Sequence, residues 1–200
     1  MSTELLQPQA ASSSPGLLAR GIEPRLPVGL IQPLTLADGR QVLVRPILPQ
    51  DSDGEQAFVM GLSPASRYRR FHVGLHALPA DVLRRLTEID HRSHVALVAQ
   101  PLVDDEVADE PPIVADARYV RLEESSAEFG IAVDDRWQGR GLGRLMLRKL
   151  ARHAARHGIR QLHGDVLADN TPMISLLRSI GGTLHTVPGL RGALQARIAL

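Results

Sequence analysis

The sequence predicts a mixed α/β fold: a central sheet of six to seven strands, flanked by helices, with at least one crossover between parallel neighbours. Three observations carry this. Short β-patterned runs such as QVLVRP and HVALVAQ alternate with segments of helical period. The helical segments carry their own caps: Ser63-Pro64, Pro79 and Asp169-Asn170-Thr171-Pro172 open helices, and Gly158 and Gly181-Gly182 close them. A strand at 126–133, a helix at 142–157 and a strand at 160–167 follow one another in the order of a βαβ unit.

In chain order, residues 1–34 hold Pro8, Pro15, Pro24, Pro27 and Pro33, the run Ser12-Ser13-Ser14, and Gly16, Gly21 and Gly29. Such a segment buries too little apolar surface to offset chain entropy, so it reads as a disordered or extended arm. The domain proper is expected over 35–200. Asp38-Gly39 is a turn leading into a strand at about 41–46. Asp51 caps a helix to about Gly61, Ser63-Pro64 opens the next, and PADVLRRLTEI forms a third. HVALVAQ (94–100) reads as a buried strand, and an acidic, proline-containing loop follows it. IVADARYVR (113–121) and SAEFGIAV (126–133) read as a hairpin across Glu123–Ser125. The helix from Leu142 places Leu145, Met146, Leu150 and Ala154 at helical spacing. RQLHGDVL (160–167) is the next strand, a helix runs from Thr171 to about Ile180, and strands at about 183–187 and 194–199 end the pattern.

At 200 residues and 21.8 kDa, with 44% hydrophobic and 22% charged residues, the chain has material for a substantial core. It has no cysteine, which excludes disulfides, thiolate metal sites and cysteine nucleophiles. No apolar run approaches the roughly 20 residues of a membrane helix, and the N-terminus lacks the pattern of a secretory signal. A cytoplasmic location and no membrane partner are the expectations. The net charge of +1 hides a segregation. DDEVADE (104–110) is acidic, whereas 136–160 carries Arg136, Arg140, Arg144, Arg148, Lys149, Arg152, Arg156 and Arg160 without one acid. A basic block inside a near-neutral protein suits a local anionic ligand better than nucleic acid. For most of these arginines, a solvated helix face is the simpler reading.

The chemistry concentrates at Gln138-Gly139-Arg140-Gly141-Leu142-Gly143, between a strand and a helix. Gly139, Gly141 and Gly143 let backbone N–H groups turn inward. The helix behind them offers orphan donors and a positive dipole end. The result is an anion cradle suited to a phosphate or pyrophosphate, with Arg140 and Arg144 at its rim. The spacing is one residue short of the dinucleotide-binding pattern, and the lysine and Ser/Thr of a P-loop are absent.

These residues resemble a family. Q-G-R-G-L-G is similar to the Q/R-x-x-G-x-G/A signature of the GNAT acyl-CoA N-acyltransferases, and the element order from about 36 to 200 is similar to that fold. LSPASRYRRF (62–71), LTEID (86–90), AEFGIAVDDRWQGRGLG (127–143) and VLADNTPM (166–173) resemble the catalytic domain of bacterial Pat-type protein lysine acetyltransferases. The resemblance implies acetyl-CoA as cosubstrate, lying where strands 126–133 and 160–167 splay apart. It implies that the pantetheine arm pairs with the backbone of Ile131, Ala132 and Val133. The pyrophosphate would rest on the N–H groups of Gly139, Arg140, Gly141, Leu142, Gly143 and Arg144, next to Gln138. Asn170 matches a residue that contacts the cofactor, although a helix cap explains it equally well.

Glu128 matches the glutamate used as general base. An acid in an apolar strand needs a role or a partner, so an outward-facing glutamate paired with an arginine is the alternative. Many family members carry a tyrosine acid seven residues after the asparagine; that position here is Leu177, so no tyrosine acid is assigned. His153 and His157 lie four apart on the long helix. Placement at its C-terminal end favours a dipole or structural role, and no metal is expected. The reading is a bacterial acetyl-CoA-dependent N-acetyltransferase acting on a primary amine, such as a protein lysine. A small-molecule amine acetyltransferase and a non-catalytic acyl-CoA-binding regulatory module are the alternatives. Oligomeric state is open, with a homodimer among the options.

Overall fold

A computed structural model describes residues 27–102, 111–187 and 192–200. Strands β1 (Gln32–Thr35) and β2 (Gln41–Pro46) form a hairpin around Asp38-Gly39. Helices α1 (Ser52–Gly61), α2 (Pro64–Phe71) and α3 (Ala80–Thr87) follow. Strands β3 (His94–Leu102), β4 (Ala115–Arg121) and β5 (Ser126–Val133) run as an antiparallel meander. Helix α4 (Leu142–Arg156) crosses over to β6 (Gln161–Leu167), which lies parallel to β5. Helix α5 (Thr171–Ser179) and strands β7 (Thr183–His185) and β8 (Ala193–Ala199) complete the order. All eight strands join one sheet, β1-β2-β3-β4-β5-β6-β8-β7.

The sheet has one strand more than expected. Gln32, Pro33 and Leu34 of β1 fall inside the segment read as an arm, Thr35 lies just beyond it, and the strand contains a proline, Pro33. It is tolerated because β1 lies at the sheet edge, where a missing N–H costs no ladder bond. Leu30 and Leu36 are buried beside it. The folded part therefore begins ahead of residue 35. Residues 1–26 of the expected arm and the acidic run 104–110 lie outside the described residues.

The two faces of the sheet differ in chemistry because side chains alternate along each strand. On one face Leu97, Ala117, Tyr119, Phe129 and Leu162 pack against Met146, Leu147 and Leu150 of α4 in the main core. On the other, Ala96 and Val98 meet Phe58, Val59, Phe71 and Leu86 of α1–α3 in a smaller core. That second face also buries charge. Arg118 has no exposed surface; it donates to both oxygens of Asp116, to Glu55 Oε1 at 3.2 Å and to the Leu86 carbonyl at 2.9 Å. A buried guanidinium is tolerable only with partners of this kind.

Glu55 is the less settled member. Its Oε2 has no hydrogen-bond partner among the described residues, and burial, with the Asp116 carboxylate close by, raises its pKa from 4.5 to about 8. The folded state therefore holds a proton that the unfolded chain has released. Over that interval stability falls as pH rises, and the loss is complete by about pH 8. Glu55→Gln removes the titration and keeps the shape. Its stability relative to wild type should increase between pH 5 and pH 8 by ~1 kcal/mol or more, read from urea midpoints. Parallel pH profiles would show that Glu55 stays ionised.

Candidate active site

The site begins where a sheet ladder stops. β5 and β6 pair at Ser126↔Gln161, Ala127↔Leu162 and Glu128↔His163, and no farther. β5 stays paired to β4 as far as Val133, and β6 stays paired to β8 as far as Leu167. The two strands thus remain regular on their outer sides while their inner edges part. Gly164 permits this. A Cβ at that position would lie 2.9 Å from the Phe129 carbonyl oxygen and 3.2 Å from its ring, so the strands come closest at the root of the fork. The opening is a cavity of about 470 Å³.

At one end of the cavity lies the glycine loop. Gly139 and Gly141 take left-handed φ values of 73° and 86°. A Cβ at either would meet nothing within 4 Å, so glycine is required there by conformation and not by crowding. Gly141 sits at the N-cap of α4, and no side chain caps the helix. Its carbonyl accepts the first helical bond, from Leu145 at 3.1 Å, so the preceding N–H groups of Leu142, Gly143 and Arg144 have no acceptor within the helix. No acid stands in the first turn to oppose a bound anion.

At the root of the fork stands Glu128, only 6% exposed. It shares a sheet face with Gly130 and Ala132 of β5 and, by the antiparallel register, with Val120, Arg118 and Asp116 of β4. The charged face of the sheet therefore continues into the cavity. Asp165 of β6 lines the opposite wall.

The third wall is α2. Ser63 caps it by accepting from the Ser66 amide, and Asp135 ties this end to the glycine loop. The Asp135 carboxylate accepts from Ser63 N and Oγ at 2.9 Å each and from Ser66 Oγ at 2.7 Å. Arg69, Arg70 and His72 of this segment line the cavity. His72 ends α2 in a left-handed conformation, φ 57°, its amide donating to the Tyr68 carbonyl at 2.7 Å. Burial holds its imidazole below the usual range against the pull of Asp165, so it is neutral near pH 7.

Most expected site residues meet in this cavity: Glu128, Ile131–Val133, Gln138, Gly139, Gly141, Gly143, Arg144 and Asn170 all line it. Two point their side chains elsewhere. Leu142 is apolar and buries itself in the main core, which leaves its backbone N–H as its contribution. Arg140 is not at the rim: it pairs with Asp38 at 2.7 Å and donates to the Arg136 carbonyl. Gln138 spends its amide on the Val133 carbonyl at 3.0 Å and so shapes the loop. Asn170 caps α5 by accepting from the Met173 amide at 3.3 Å. Leu177, where a tyrosine acid would stand, is fully buried. Sequence reasoning missed Arg70, His72, Asp135 and Asp165. The available signals were Gly130 and Gly164, glycines inside strand patterns, which mark a close approach.

The paired histidines have no part in this cavity. His153 stacks on His157 with centroids 4.0 Å apart and bonds the Tyr119 hydroxyl at 3.1 Å. Burial, with His157 adjacent, lowers its pKa to about 4.

Comparison with known proteins identifies the family. Residues 76–181 match the acetyltransferase (GNAT) family model. An acetyltransferase of Pseudomonas aeruginosa is 34% identical over 148 residues, 74% of this chain and 77% of that protein. The acetyltransferase Pat of Mycolicibacterium smegmatis is 28% identical over 151 residues, 74% of this chain but 43% of that longer protein. Among solved structures, the GNAT domain of S. lividans PAT superposes with a TM-score of 0.78 at 27% identity, covering 87% of this chain and 99% of that one.

The fork itself can be tested without a ligand. In Gly164→Ala, the new methyl meets a backbone carbonyl that cannot swing aside. The variant should lose about 1–3 kcal/mol of stability, measured by denaturant unfolding. A loss below ~0.5 kcal/mol would mean that the strands part for another reason.

Proposed function

Because the chain belongs to the GNAT acetyltransferase family, we propose that it transfers an acetyl group from acetyl-CoA directly to the ε-amine of a protein lysine, with Glu128 as the proton acceptor. One observation carries this reading: the unpaired inner edge of β5 connects an anion cradle at one end of the cavity to a buried carboxylate at the other. Acetyl-CoA has the complementary order of groups, a pyrophosphate, then an arm with two amides, then a thioester. The free N–H groups of Leu142, Gly143 and Arg144 suit the pyrophosphate. The exposed backbone of Ile131–Val133 suits the amides, as an added strand would. The thioester then reaches Phe129 and Gly130, beside Glu128.

Bound there, acetyl-CoA supplies a carbonyl carbon activated by its thioester. An amine reaches the site as an ammonium and has no free lone pair. Glu128 accepts the proton it must lose and passes it to solvent through the open cleft. The unpaired N–H groups of β5 are the donors available to the carbonyl oxygen. With Leu177 in the core, no side chain from α5 serves as an acid, which a thiolate leaving group does not require. Lysine as acceptor draws support from the likeness to the proteins named Pat and from the Pat-type blocks in the sequence. Mass spectrometry of proteins acetylated in a cell lysate tests it, and acetylation of small amines alone would replace it. The cytoplasm is the compartment this reading implies; no helix among the described residues is long and apolar enough to cross a membrane.

Two substitutions test the assignment. Gly141→Asp forces a side chain onto a left-handed residue and puts negative charge in the cradle. Acetyl-CoA affinity should fall at least tenfold, or ~1.4 kcal/mol, by calorimetry. Unchanged affinity in a folded variant would remove the cradle from the site. Glu128→Gln should leave acetyl-CoA affinity nearly intact and lower kcat at pH 7 by roughly 10²–10⁴-fold. The defect should shrink as pH rises, because more amine then arrives deprotonated. Activity within threefold of wild type at pH 7 would show that Glu128 takes no proton.

A further inference from the structure

We propose that Arg70 is a second catalytic residue: its guanidinium, laid on the backbone of Gly130, faces the carbonyl oxygen of the bound thioester and stabilises the negative charge that gathers there. The inference rests on the reading of the cleft given above.

The geometry is unusual in one respect. An ideal Cβ on Gly130 would lie 2.9 Å from Arg70 Cζ, 2.9 Å from Nη2 and 3.0 Å from Nη1. The guanidinium thus fills the place that a side chain of β5 would occupy, and its flat face rests on the strand. Gly130 stands between Glu128, at the root of the fork, and Ile131, where the unpaired edge begins to serve an extended arm. A cation there lies over the point where the reacting carbonyl ends. Arg70 also lines the cavity, so its far side is open to a ligand.

Chemistry favours arginine in this place. A guanidinium keeps its charge when desolvated, whereas a buried lysine tends to give its charge up. Burial, and then Arg118 across the ladder, work against the charge on Arg70, and the carboxylates of Asp116 and Glu128 oppose them as counter-charges. A cation held in a shielded site by packing and by fixed carboxylates acts on a developing charge with little screening and without rearrangement. Arg118, directly across the ladder from Gly130, is committed to Asp116, Glu55 and the Leu86 carbonyl, so among the described residues Arg70 is the cation laid on Gly130 at the cavity wall.

In the step concerned, the amine lone pair forms the C–N bond and the carbonyl π pair moves onto oxygen, beside Arg70. The pair then returns, the C–S bond breaks, and sulfur leaves as a thiolate. The first proton of the ammonium has gone to Glu128. The second, shed as the amide forms, neutralises the thiolate.

A binding experiment isolates the charge. S-carboxymethyl-CoA carries an anionic carboxymethyl group on sulfur in place of the neutral acetyl group. By calorimetry, Arg70→Met should bind it about tenfold more weakly than wild type does, while acetyl-CoA affinity changes less than threefold. With acetyl-CoA and an amine, kcat should fall by about 10²–10³-fold, the usual worth of one oxyanion donor. The same factor should persist in a Glu128→Gln background. A defect that vanishes in that background would show that Arg70 acts only through Glu128, and would overturn the proposal. Equal weakening for both CoA compounds would overturn it as well, by making Arg70 a general binding residue. Wild type that binds neither compound would instead refute the reading of the cleft.

Gly130→Ala gives an independent test should Arg70→Met fold poorly. The added methyl meets the end of a flexible side chain, so the melting temperature should move little while the guanidinium is pushed off the strand. The variant should lose kcat by tenfold or more, and in an Arg70→Met background it should lose nothing further. A Gly130→Ala enzyme with wild-type kcat would overturn the proposal.

Discussion

The interrupted ladder between β5 and β6 is the constraint on which the site depends. Three register steps join the strands, and after Glu128 each keeps only its outer partner. An unpaired strand edge inside a protein is normally a defect, because backbone N–H and C=O groups away from water need partners. Here the edge opens into a cavity with the uncapped N-terminus of α4 at one end and the Glu128 carboxyl at the other. The close approach of Gly164 to the Phe129 carbonyl holds the root of the fork shut while the mouth stays open. β4 and β8 brace the two strands from outside, so opening the fork does not loosen the sheet.

The division of labour between the sheet faces follows from the same strands. Odd-numbered residues of β5, such as Ala127 and Phe129, enter the core under α4 and contribute stability. Even-numbered residues, Glu128 and Gly130, turn toward α1–α3, where Asp116, Arg118 and Glu55 are already buried. Charged chemistry and apolar packing are thereby separated by the thickness of a sheet. The Asp135 carboxylate then makes α2 part of the site by fastening its N-terminus to the glycine loop.

Much of this was legible in the residues. Caps at Ser63 and Asn170 and the apolar spacing of α4 marked the helices; Asp51 stands at the start of α1, but its carboxylate accepts from Arg45 and the Leu48 amide and does not cap the helix. The glycines at 139 and 141 announced the tight left-handed turn that leads into α4, because positive φ is hard to reach otherwise. What escaped were matters of placement. β1 was hidden because Pro33 speaks against a strand unless the strand is known to be an edge. SRYRRF reads as a polar helix, and nothing local says that Arg70 turns onto β5 while Tyr68 stays half exposed. Arg140 looked like a ligand group until the fold brought Asp38 beside it, 102 positions earlier in the chain. Glycine inside a strand was the one sequence sign of the close approaches at 130 and 164, and it does not say what approaches.

The position of β8 has a consequence for how the molecule is built. β8 inserts between β6 and β7, so it is the last of these strands to be synthesised and yet an interior one. Until it arrives, β6 has one short ladder to β5 and an empty outer edge, and β7 has no neighbour to pair with. A growing chain can assemble β1 to β5 and their helices early, since those contacts are mostly sequential. The second wall of the cleft must wait. The cavity is thus a late product of folding, closed off by residues that lie far from it in function but directly behind it in the sheet.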